Sequence, residues 1–338
     1  MITLRGKDLR LPGPSVLAVG KFECIHLGHR ALIDEVVRLA QRGTALGSSA
    51  LISAMIVFEP HPYRVLVDPK YKPLFTGPER EFLARRLDID YLLEYPFDRE
   101  FAAMPPADFC RLLFEDLQGR IIVVGEGYRF GHKREGTIDT LRQIARKYGA
   151  QVHVVAPRKG DMNTRINDIM PFSDLGAGEH ISHLHNMSKI STSTIHGLLS
   201  QNKLTEAESL LGYPFFISGT VAPGRQLGRT IGFPTANLYP QEDKFLLTDG
   251  VYATRTILDG NRYKSITNIG VRPTIETTDA PRSVETHLLG YTGVELYGKH
   301  IYVEFLSFIR PERRFESLEA LKAQILADCK TSYFLHSK

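Results

Sequence analysis

Two histidines, His26 and His29, stand three residues apart in the stretch GKFECIHLGH, which follows an apolar run at 15–19 and precedes a helical pattern. A turn from a strand into a helix presents unpaired backbone N–H groups at the positive end of the helix dipole, which favours anions. Gly28 allows a polyphosphate to approach this backbone closely. The stretch therefore predicts a phosphate site faced by two imidazoles. The alternative is that the histidines only cap the helix and the glycines only turn the chain.

A second candidate site lies in GTVAPGRQLGRTIGFPTANL, at 219–238, which is rich in glycine. A glycine-rich arch of this kind closes its backbone over phosphates, and Pro234 restricts the chain that follows it. Thr235 and Asn237 are alternate residues, so an extended backbone places both side chains on one side. Their hard oxygen atoms suit Mg²⁺. A turn-rich connection between strands, without a ligand, is the alternative.

The elements that must position these residues differ between the two halves of the chain. Up to about residue 157, apolar runs typical of strands alternate with helical patterns, which predicts an α/β domain with a parallel sheet. Ligands bind such sheets beyond the carboxyl ends of the strands. Three polar stretches fall at predicted strand ends, and we expect them to share one edge: GKFECIHLGH, VFEPHP at 57–62 and GEGYRFGHKREG at 125–136.

From Tyr213 onward the pattern changes to short runs rich in Val, Ile, Thr, Tyr and Phe, separated by Gly or Pro turns. This pattern predicts an antiparallel barrel or sandwich. The half closes with an amphipathic helical pattern whose apolar stripe consists of Leu318, Leu321, Ile325 and Leu326. Between the halves, the segment 158–189 has weak periodicity and predicts a long loop. Its stretch HISHLH, at 180–185, has a spacing that suits zinc or nickel, and a solvated loop without metal is the alternative.

Composition limits the classes of protein. The 338 residues are 43% hydrophobic, which is enough for two domains. The net charge of +4 comes without blocks of Lys or Arg, so we expect neither a nucleic-acid nor a membrane partner. Cys24, Cys110 and Cys329 are far apart, which argues against a disulfide framework and predicts a reducing, cytoplasmic setting. We recognise neither a signal peptide nor a membrane-spanning segment.

The first half resembles the nucleotidyltransferase superfamily, and GKFECIHLGH is similar to the GxFDGxHxGH signature of the bacterial bifunctional riboflavin kinase/FMN adenylyltransferase family. VFEPHP, GEGYRFGHKREG and ISTSTIH, at 190–196, occupy the places of that family's further motifs. The resemblance implies a Rossmann-like domain that transfers AMP from ATP to FMN, which yields FAD and pyrophosphate. It implies that His26 and His29 are catalytic and hold the ATP phosphates. It assigns further phosphate contacts to Gly20, Phe22, Gly28 and Ser191, and a flavin contact to His61.

The first half also departs from the family's pattern. Glu23 and Cys24 replace Asp and Gly, Gly127 replaces an acid or amide, and His196 replaces Arg. We expect these changes to slow FAD formation relative to FMN formation, because they remove or displace polar contacts at the phosphate site. They leave an alternative in which the first half is a non-catalytic module that binds a nucleotide or a flavin and regulates the second half.

The second half resembles the flavokinase module of the same family, since its motifs follow in the family's order from about Leu210 to Asp328. The resemblance implies that Glu285 is the general base that takes the proton from the 5′-hydroxyl of riboflavin. It implies that Thr235 and Asn237 hold Mg–ATP. The remaining assignments are ATP contacts for Gly224, Gly228 and Arg229, and a flavin contact for Arg272.

Together these patterns predict an adenylyltransferase-like domain at 1–205 and a riboflavin kinase domain at 206–338. The predicted substrates are ATP, riboflavin and FMN, with Mg²⁺ as the metal. The sequence leaves the oligomeric state open.

Overall fold

The computed structural model describes residues 1–45, 50–156, 190–224, 227–271, 282–293 and 295–335. These residues form two compact units: the first comprises 1–156 and 190–192, and the second begins at residue 193. The functional boundary expected at 205/206 stays a prediction. The predicted loop 158–189, with its HISHLH stretch, lies outside the described residues. No helix of the described ranges is long and apolar enough to cross a membrane.

The first unit is built on a parallel sheet of six strands, in the order β1-β4-β3-β2-β5-β6. Its strands are β1 (Ile2–Arg5), β2 (Ser15–Val19), β3 (Ile52–Glu59), β4 (Tyr91–Pro96), β5 (Gly119–Gly125) and β6 (Gln151–Val155). Every strand pair in this sheet is parallel. The expected α/β architecture is therefore confirmed. The sequence pattern missed β1, which pairs with β4 at the edge of the sheet.

Helices connect these strands. They are α1 (Leu27–Ala45), α2 (Pro62–Leu66), α3 (Gly77–Ala84), α4 (Arg99–Ala102), α5 (Pro106–Arg111) and α6 (Ile138–Lys147). Local sequence explains their starts: α3 begins with a capping box, in which Thr76 and Glu79 satisfy each other's backbone N–H groups. The whole of β2 is buried, as expected for a central strand covered on both faces.

The second unit is an antiparallel sheet in the order β7-β12-β9-β10-β11-β8. Its elements are α7 (Thr192–Ser200), α8 (Leu204–Leu211), β7 (Phe216–Thr220), α9 (Leu227–Thr230), β8 (Ala236–Leu238), β9 (Gly250–Leu258), β10 (Asn261–Val271), β11 (Arg282–Leu288), β12 (His300–Arg310) and α10 (Leu318–Leu335). A bridge between Ala222 and Asn237 joins the two edges, so the sheet is a nearly closed barrel. The antiparallel barrel is therefore confirmed.

Part of the barrel core is polar. Five buried hydroxyl side chains on β9, β10 and β11 bond to one another at 2.7–3.2 Å: Thr254, Thr256, Ser265, Thr267 and Thr286. Each hydroxyl has a partner, so this cluster carries no unpaired buried group.

The terminal helix α10 differs from the expectation. The helix is present, but Leu318 and Leu326 of the predicted apolar stripe are 51% and 46% exposed. The buried residues of α10 are Asp328 and Ser332 instead. Asp328 accepts hydrogen bonds from Arg310 at 2.8–3.1 Å, and Ser332 donates to the Ser265 carbonyl at 2.9 Å. Polar contacts from Asp328 and Ser332 join this helix to the barrel, while Leu321 and Ile325 of the predicted stripe are half-buried.

Candidate active sites

In the first unit, the histidine pair lies where β2 ends and α1 begins. The rings of His26 and His29 stack with centroids 3.7 Å apart and planes 9° apart. The backbone N–H of His29 donates to His26 Nδ1 at 3.2 Å, so His26 caps the helix. A Cβ at Gly28 would lie 3.1–3.2 Å from the His26 ring, a tight contact that glycine avoids. His26 thus caps the helix and stacks on His29, and the ligand role of the pair stays a prediction.

The hydrogen bond to His26 fixes its tautomer. Because Nδ1 accepts a hydrogen bond, Nε2 of the neutral ring carries the proton and is a donor. Burial lowers the pKa of His26 to about 4, and burial together with the neighbouring His26 lowers the pKa of His29 well below its ordinary value. His29 Nδ1 is buried without a hydrogen-bond partner among the described residues. Both imidazoles are therefore neutral at pH 7, and one buried nitrogen fits a ligand atom.

The turn before His26 has a strained backbone. Phe22 and Ile25 have φ values of 42° and 32°, in the left-handed region that side chains with a Cβ rarely adopt. Both side chains are fully buried, with exposed fractions of 0% and 1%. Such strain persists only where the surrounding structure holds it, and it is concentrated at functional sites.

Glu23 is the polar anchor of this turn. It is 1% exposed, and its carboxylate accepts the Tyr71 hydroxyl at 2.8 and 3.0 Å and the Leu74 backbone N–H at 2.8 Å. His61 Nε2 lies 3.2 Å from the same carboxylate. Glu23 therefore points into the protein and ties the turn to the segment before α3. Sequence patterns missed Tyr71, because nothing in the local sequence shows that it meets Glu23 across 48 residues.

Two other residues that depart from the family's motifs, Cys24 and His196, are packed against neighbouring side chains. Cys24 is fully buried, and its Sγ lies 3.6 Å from Thr192 Oγ1, next to Ser191 in the chain. Burial raises the pKa of the Cys24 thiol to about 12. The His196 ring packs on Phe245 within the second unit, with centroids 4.4 Å apart. The phosphate role predicted for Ser191 stays a prediction.

A cavity of about 650 Å³ adjoins the end of β2. Gly20 lines it, as does Gly127, which stands where the sequence analysis expected an acid or amide. Its aromatic wall consists of Phe58, Tyr63, Phe97, Phe101, Phe109, Tyr128 and Phe130. The residues that line it, among those described, include no carboxylate. Sequence analysis missed this wall, because its aromatic residues come from four separate stretches of the chain.

His61 takes a different place from the one implied for a flavin contact. Its Nδ1 accepts the Tyr63 backbone N–H at 3.3 Å and so caps α2. It is 5% exposed, and burial lowers its pKa to about 4. Its neighbours Pro62 and Tyr63 line the cavity, but His61 is not among the lining residues. Flavin binding by His61 stays a prediction.

In the second unit, the register of the barrel brings the candidate residues together. Asn237 on β8 is the cross-strand neighbour of Glu285 on β11, and Glu285 is the neighbour of Asn268 on β10. Side chains at paired positions of neighbouring strands lie on the same face of a sheet. The three side chains therefore form one row, which we call the barrel row. Sequence analysis identified two of its members, Asn237 and Glu285, and missed Asn268.

The barrel row continues beyond β10. The Asn268 carboxamide N–H donates to Glu312 Oε1 at 2.7 Å. The missing Cβ at Gly270 leaves the space that the Glu312 carboxylate occupies. The row thus ends in a second carboxylate, which the sequence did not single out.

Glycines also shape the other end of the barrel row. A Cβ at Gly224 would overlap the Asn237 carboxamide, and a Cβ at Gly228 would overlap the Phe233 carbonyl. Asn237 is 5% exposed, and Thr235 directly precedes its strand. Arg272 and the side chain of Arg229 lie outside the described residues, so their predicted roles stay predictions.

Comparisons with known proteins identify two family domains in this chain. A family model described as FAD synthetase matches residues 9–167, and one described as riboflavin kinase matches residues 211–334. A curated protein of Escherichia coli (strain K12), named bifunctional riboflavin kinase/FMN adenylyltransferase, is 35% identical over 93% of this chain and 90% of its own length. A protein of the same name from Listeria monocytogenes is 30% identical over 93% of this chain and 90% of its own length.

The fold and the family models together define a two-domain protein: a parallel α/β unit that matches the FAD synthetase model is followed by a barrel that matches the riboflavin kinase model. The chain belongs to the bifunctional riboflavin kinase/FMN adenylyltransferase family. A solved structure from Streptococcus pneumoniae, titled a macrolide-efflux protein, shares the fold with a TM-score of 0.79 and 25% identity over 98% of this chain and 99% of that one. The family assignment rests on the sequence relatives, which are more similar.

Proposed function

We propose that this chain makes both flavin nucleotides. The second unit phosphorylates riboflavin with ATP to give FMN and ADP. The first unit then adenylylates FMN: a phosphate oxygen of FMN attacks the α-phosphorus of ATP, and pyrophosphate leaves. Family membership supports both activities, and the two sites supply groups suited to each.

For the kinase step, we assign the proton transfer to Glu285. A carboxylate in reach of the ribityl 5′-hydroxyl orients it and accepts its proton as the γ-phosphoryl group arrives. Asn237 and Thr235 supply the oxygen ligands that Mg²⁺ prefers, and the missing Cβ at Gly224 leaves the space that the Asn237 carboxamide occupies. These residues fit Mg–ATP. When bound, the metal neutralises phosphate charge during transfer.

For the adenylyl step, the single observation that carries the proposal is the stacked histidine pair at the end of a turn whose first residues, Gly20 and Lys21, line the aromatic cavity. His26 presents an Nε2–H donor, and His29 has a buried nitrogen without a partner among the described residues. Donors fixed in place before the reaction stabilise the charge that develops on the α-phosphate, without reorganisation. The aromatic wall suits a flat isoalloxazine ring, since ring faces and edges pack favourably in such pockets.

The experiment that tests this function is an incubation of the chain with riboflavin, ATP and Mg²⁺, followed by separation of FMN, FAD, ADP and pyrophosphate. We expect FMN with ADP, then FAD with pyrophosphate. FMN without FAD would favour the regulatory alternative for the first unit. No phosphorylation of riboflavin would reject the kinase assignment. The same experiment without Mg²⁺ tests the metal, and we expect neither product.

We also propose that these reactions take place in the cytoplasm. The three cysteines are free thiols, and two of them are buried. A reducing compartment suits such a chain. The sequence also predicts that FAD forms more slowly than FMN. This stays a prediction, which the same assay can test.

A further inference from the structure

Glu312 belongs to the chain after β12, yet its carboxylate lies on β10, at the end of the barrel row. The Asn268 carboxamide donates to it at 2.7 Å, and a Cβ at Gly270 would overlap it. Gly270 has no positive φ, so its backbone conformation does not require glycine. Glycine inside a strand weakens the strand, and it often marks a place that another group approaches closely. Here the absent side chain leaves space for one carboxylate.

The strand register places Glu312 one residue pair away from Glu285. Asn268 is the cross-strand neighbour of Glu285. Gly270, whose missing side chain Glu312 replaces, is the neighbour of Ser283. Ser283 and Glu285 are alternate residues of β11, so their side chains lie on the same face of the sheet. The side chains of Asn268, Glu285, Ser283 and Glu312 therefore lie together on one face.

Ser283 contacts the Glu285 carboxylate directly. Its hydroxyl donates to Glu285 Oε1 at 3.4 Å, a long hydrogen bond of the kind that often shortens at catalytic sites when the substrate binds. Ser283 is 5% exposed and Glu285 is half-buried, so the surrounding barrel restricts both side chains. Because the hydroxyl bonds to Oε1, Oε2 is the oxygen that stays available to accept a proton.

Asn268 limits the same carboxylate from across the strand pair. A carboxylate only accepts hydrogen bonds, so Glu312 fixes which end of the Asn268 amide carries the N–H groups. Paired side chains of neighbouring antiparallel strands have Cβ atoms about 4.5–5.5 Å apart. A rotation of the Asn268 amide therefore changes the immediate surroundings of Glu285, and the bond to Glu312 opposes that rotation.

We propose that Ser283 and Asn268, with Glu312 holding Asn268, are positioning residues for the proton acceptor of the kinase reaction. Ser283 bonds to Oε1 of Glu285 and Asn268 confines the carboxylate, so that Oε2 faces the 5′-hydroxyl of riboflavin. As the hydroxyl oxygen bonds to the γ-phosphorus of ATP and the bond to ADP breaks, the proton passes to Oε2. This inference rests on the proposed kinase function, and it does not require the three residues to contact the substrate.

The test measures kcat and KM for riboflavin phosphorylation by the full chain at saturating Mg–ATP. Ser283→Ala and Glu312→Ala each remove one contact, whereas Ser283→Thr keeps a hydroxyl donor and Glu312→Gln keeps an acceptor for the Asn268 amide. We expect each alanine variant to lower kcat roughly 10-fold, with the KM for riboflavin and the KM for ATP changed by less than about 3-fold. The two conservative variants should keep kcat within about 3-fold of the parent.

The matched controls are Ser209→Ala and Glu319→Ala. The Ser209 hydroxyl donates to the Glu206 carbonyl at 2.6 Å on α8, and Glu319 is an exposed carboxylate in the first turn of α10. Neither side chain belongs to the barrel row, so both variants should keep the kcat of the parent.

Combination with Glu285→Gln separates positioning from a general structural role. Residues that act through Glu285 lose their effect once it cannot accept a proton, so Ser283→Ala should lower the residual rate of Glu285→Gln by less than about 2-fold. A further loss of about 10-fold in that background overturns the proposal. A higher KM for riboflavin with unchanged kcat overturns it too, as do equal losses in the conservative variants or the controls. If Ser283→Ala fails to fold, Glu312→Ala, a change at an exposed side chain, decides the question in the same two backgrounds.

The outcomes also separate this inference from the proposed function. If Glu285→Gln lowers FMN formation while Ser283→Ala and Glu312→Ala keep the kcat of the parent, only the positioning roles fail. If the parent forms no FMN from riboflavin, the kinase function fails, and the positioning roles fail with it.

Discussion

In the first unit, the histidine pair follows a strained turn that buried side chains hold in place, whereas in the second unit Asn237 and Glu285 are cross-strand neighbours in a regular barrel. The turn depends on contacts with a distant part of the chain, because its own Glu23 carboxylate accepts hydrogen bonds from Tyr71 and Leu74. The barrel register depends on many backbone hydrogen bonds, so no single side chain sets it. We therefore expect the two sites to respond differently to mutation. The barrel site should lose only chemistry, while the turn should lose chemistry and stability together.

The largest effect should follow from Glu285→Gln. The amide keeps the shape of the side chain and cannot accept the proton, and general base catalysis contributes roughly 10²- to 10⁴-fold. FMN formation from riboflavin should fall by that factor, measured by separation of the flavins, with the thermal unfolding midpoint unchanged. FAD formation from added FMN serves as the internal control and should persist. Turnover within about 3-fold of the parent would exclude Glu285 as the base.

The next largest effect should follow from His26→Asn. Asparagine retains a side-chain acceptor for the His29 backbone N–H, so the start of α1 keeps its cap. It lacks the Nε2 donor, and the loss of one preorganised donor at a charged transition state costs roughly 10²- to 10³-fold. FAD formation from FMN should fall by this factor, while riboflavin phosphorylation should not change. Equal losses in both reactions would show a general defect instead.

A smaller effect on rate, accompanied by lower stability, should follow from Glu23→Gln. The amide replaces one acceptor that faces Tyr71 and Leu74 with a donor, and an unsatisfied buried group costs about 1–3 kcal/mol. We expect FAD formation to fall roughly 10-fold and the thermal midpoint to decrease, and Tyr71→Phe should act in the same direction.

The matched control for Glu23→Gln is Glu79→Gln, a carboxylate 2% exposed in the capping box of α3. It should lower stability with little effect on FAD formation. If the two variants lose FAD formation equally, Glu23 is a structural residue like Glu79 and does not position the histidine pair.

The sequence predicted what depends on short-range patterns. Alternating strand and helix patterns gave the parallel sheet, and the spacing of His26 and His29 placed the pair at a strand-to-helix turn, as the structure shows. The contacts that hold this turn were not predictable, because Tyr71 reaches Glu23 from 48 residues away. The orientation of α10 was missed for a related reason. Its burial follows from polar partners on the barrel, such as Arg310 for Asp328, and hydrophobic periodicity contains no information about such partners.

The comparison between the turn and the barrel also predicts a dependence on pH. His26 and His61 have pKa values lowered from 6.5 to about 4 in the folded chain, chiefly by burial, and His29 is lowered in the same direction. Below about pH 6.5 the unfolded chain binds protons at these positions and the folded chain does not, until the pH approaches 4. Above pH 6.5 these histidines are neutral in both states, so their burial costs no proton-linked stability. The free energy of unfolding should then fall progressively as the pH is lowered from 6.5 to 4.

Thermal unfolding of the parent, His26→Asn and His61→Asn across this pH range tests the prediction. Near neutral pH we expect a smaller effect here than in the mutations above. Asparagine preserves each cap, because both histidines accept a backbone N–H through Nδ1. Each variant removes one titrating group, so the loss of stability on acidification should be shallower than in the parent by roughly 1–3 kcal/mol at pH 4.5. His300→Asn, an exposed histidine on β12, should follow the parent. If all three variants track the parent, acid sensitivity originates elsewhere, and the buried imidazoles of the turn do not limit its stability.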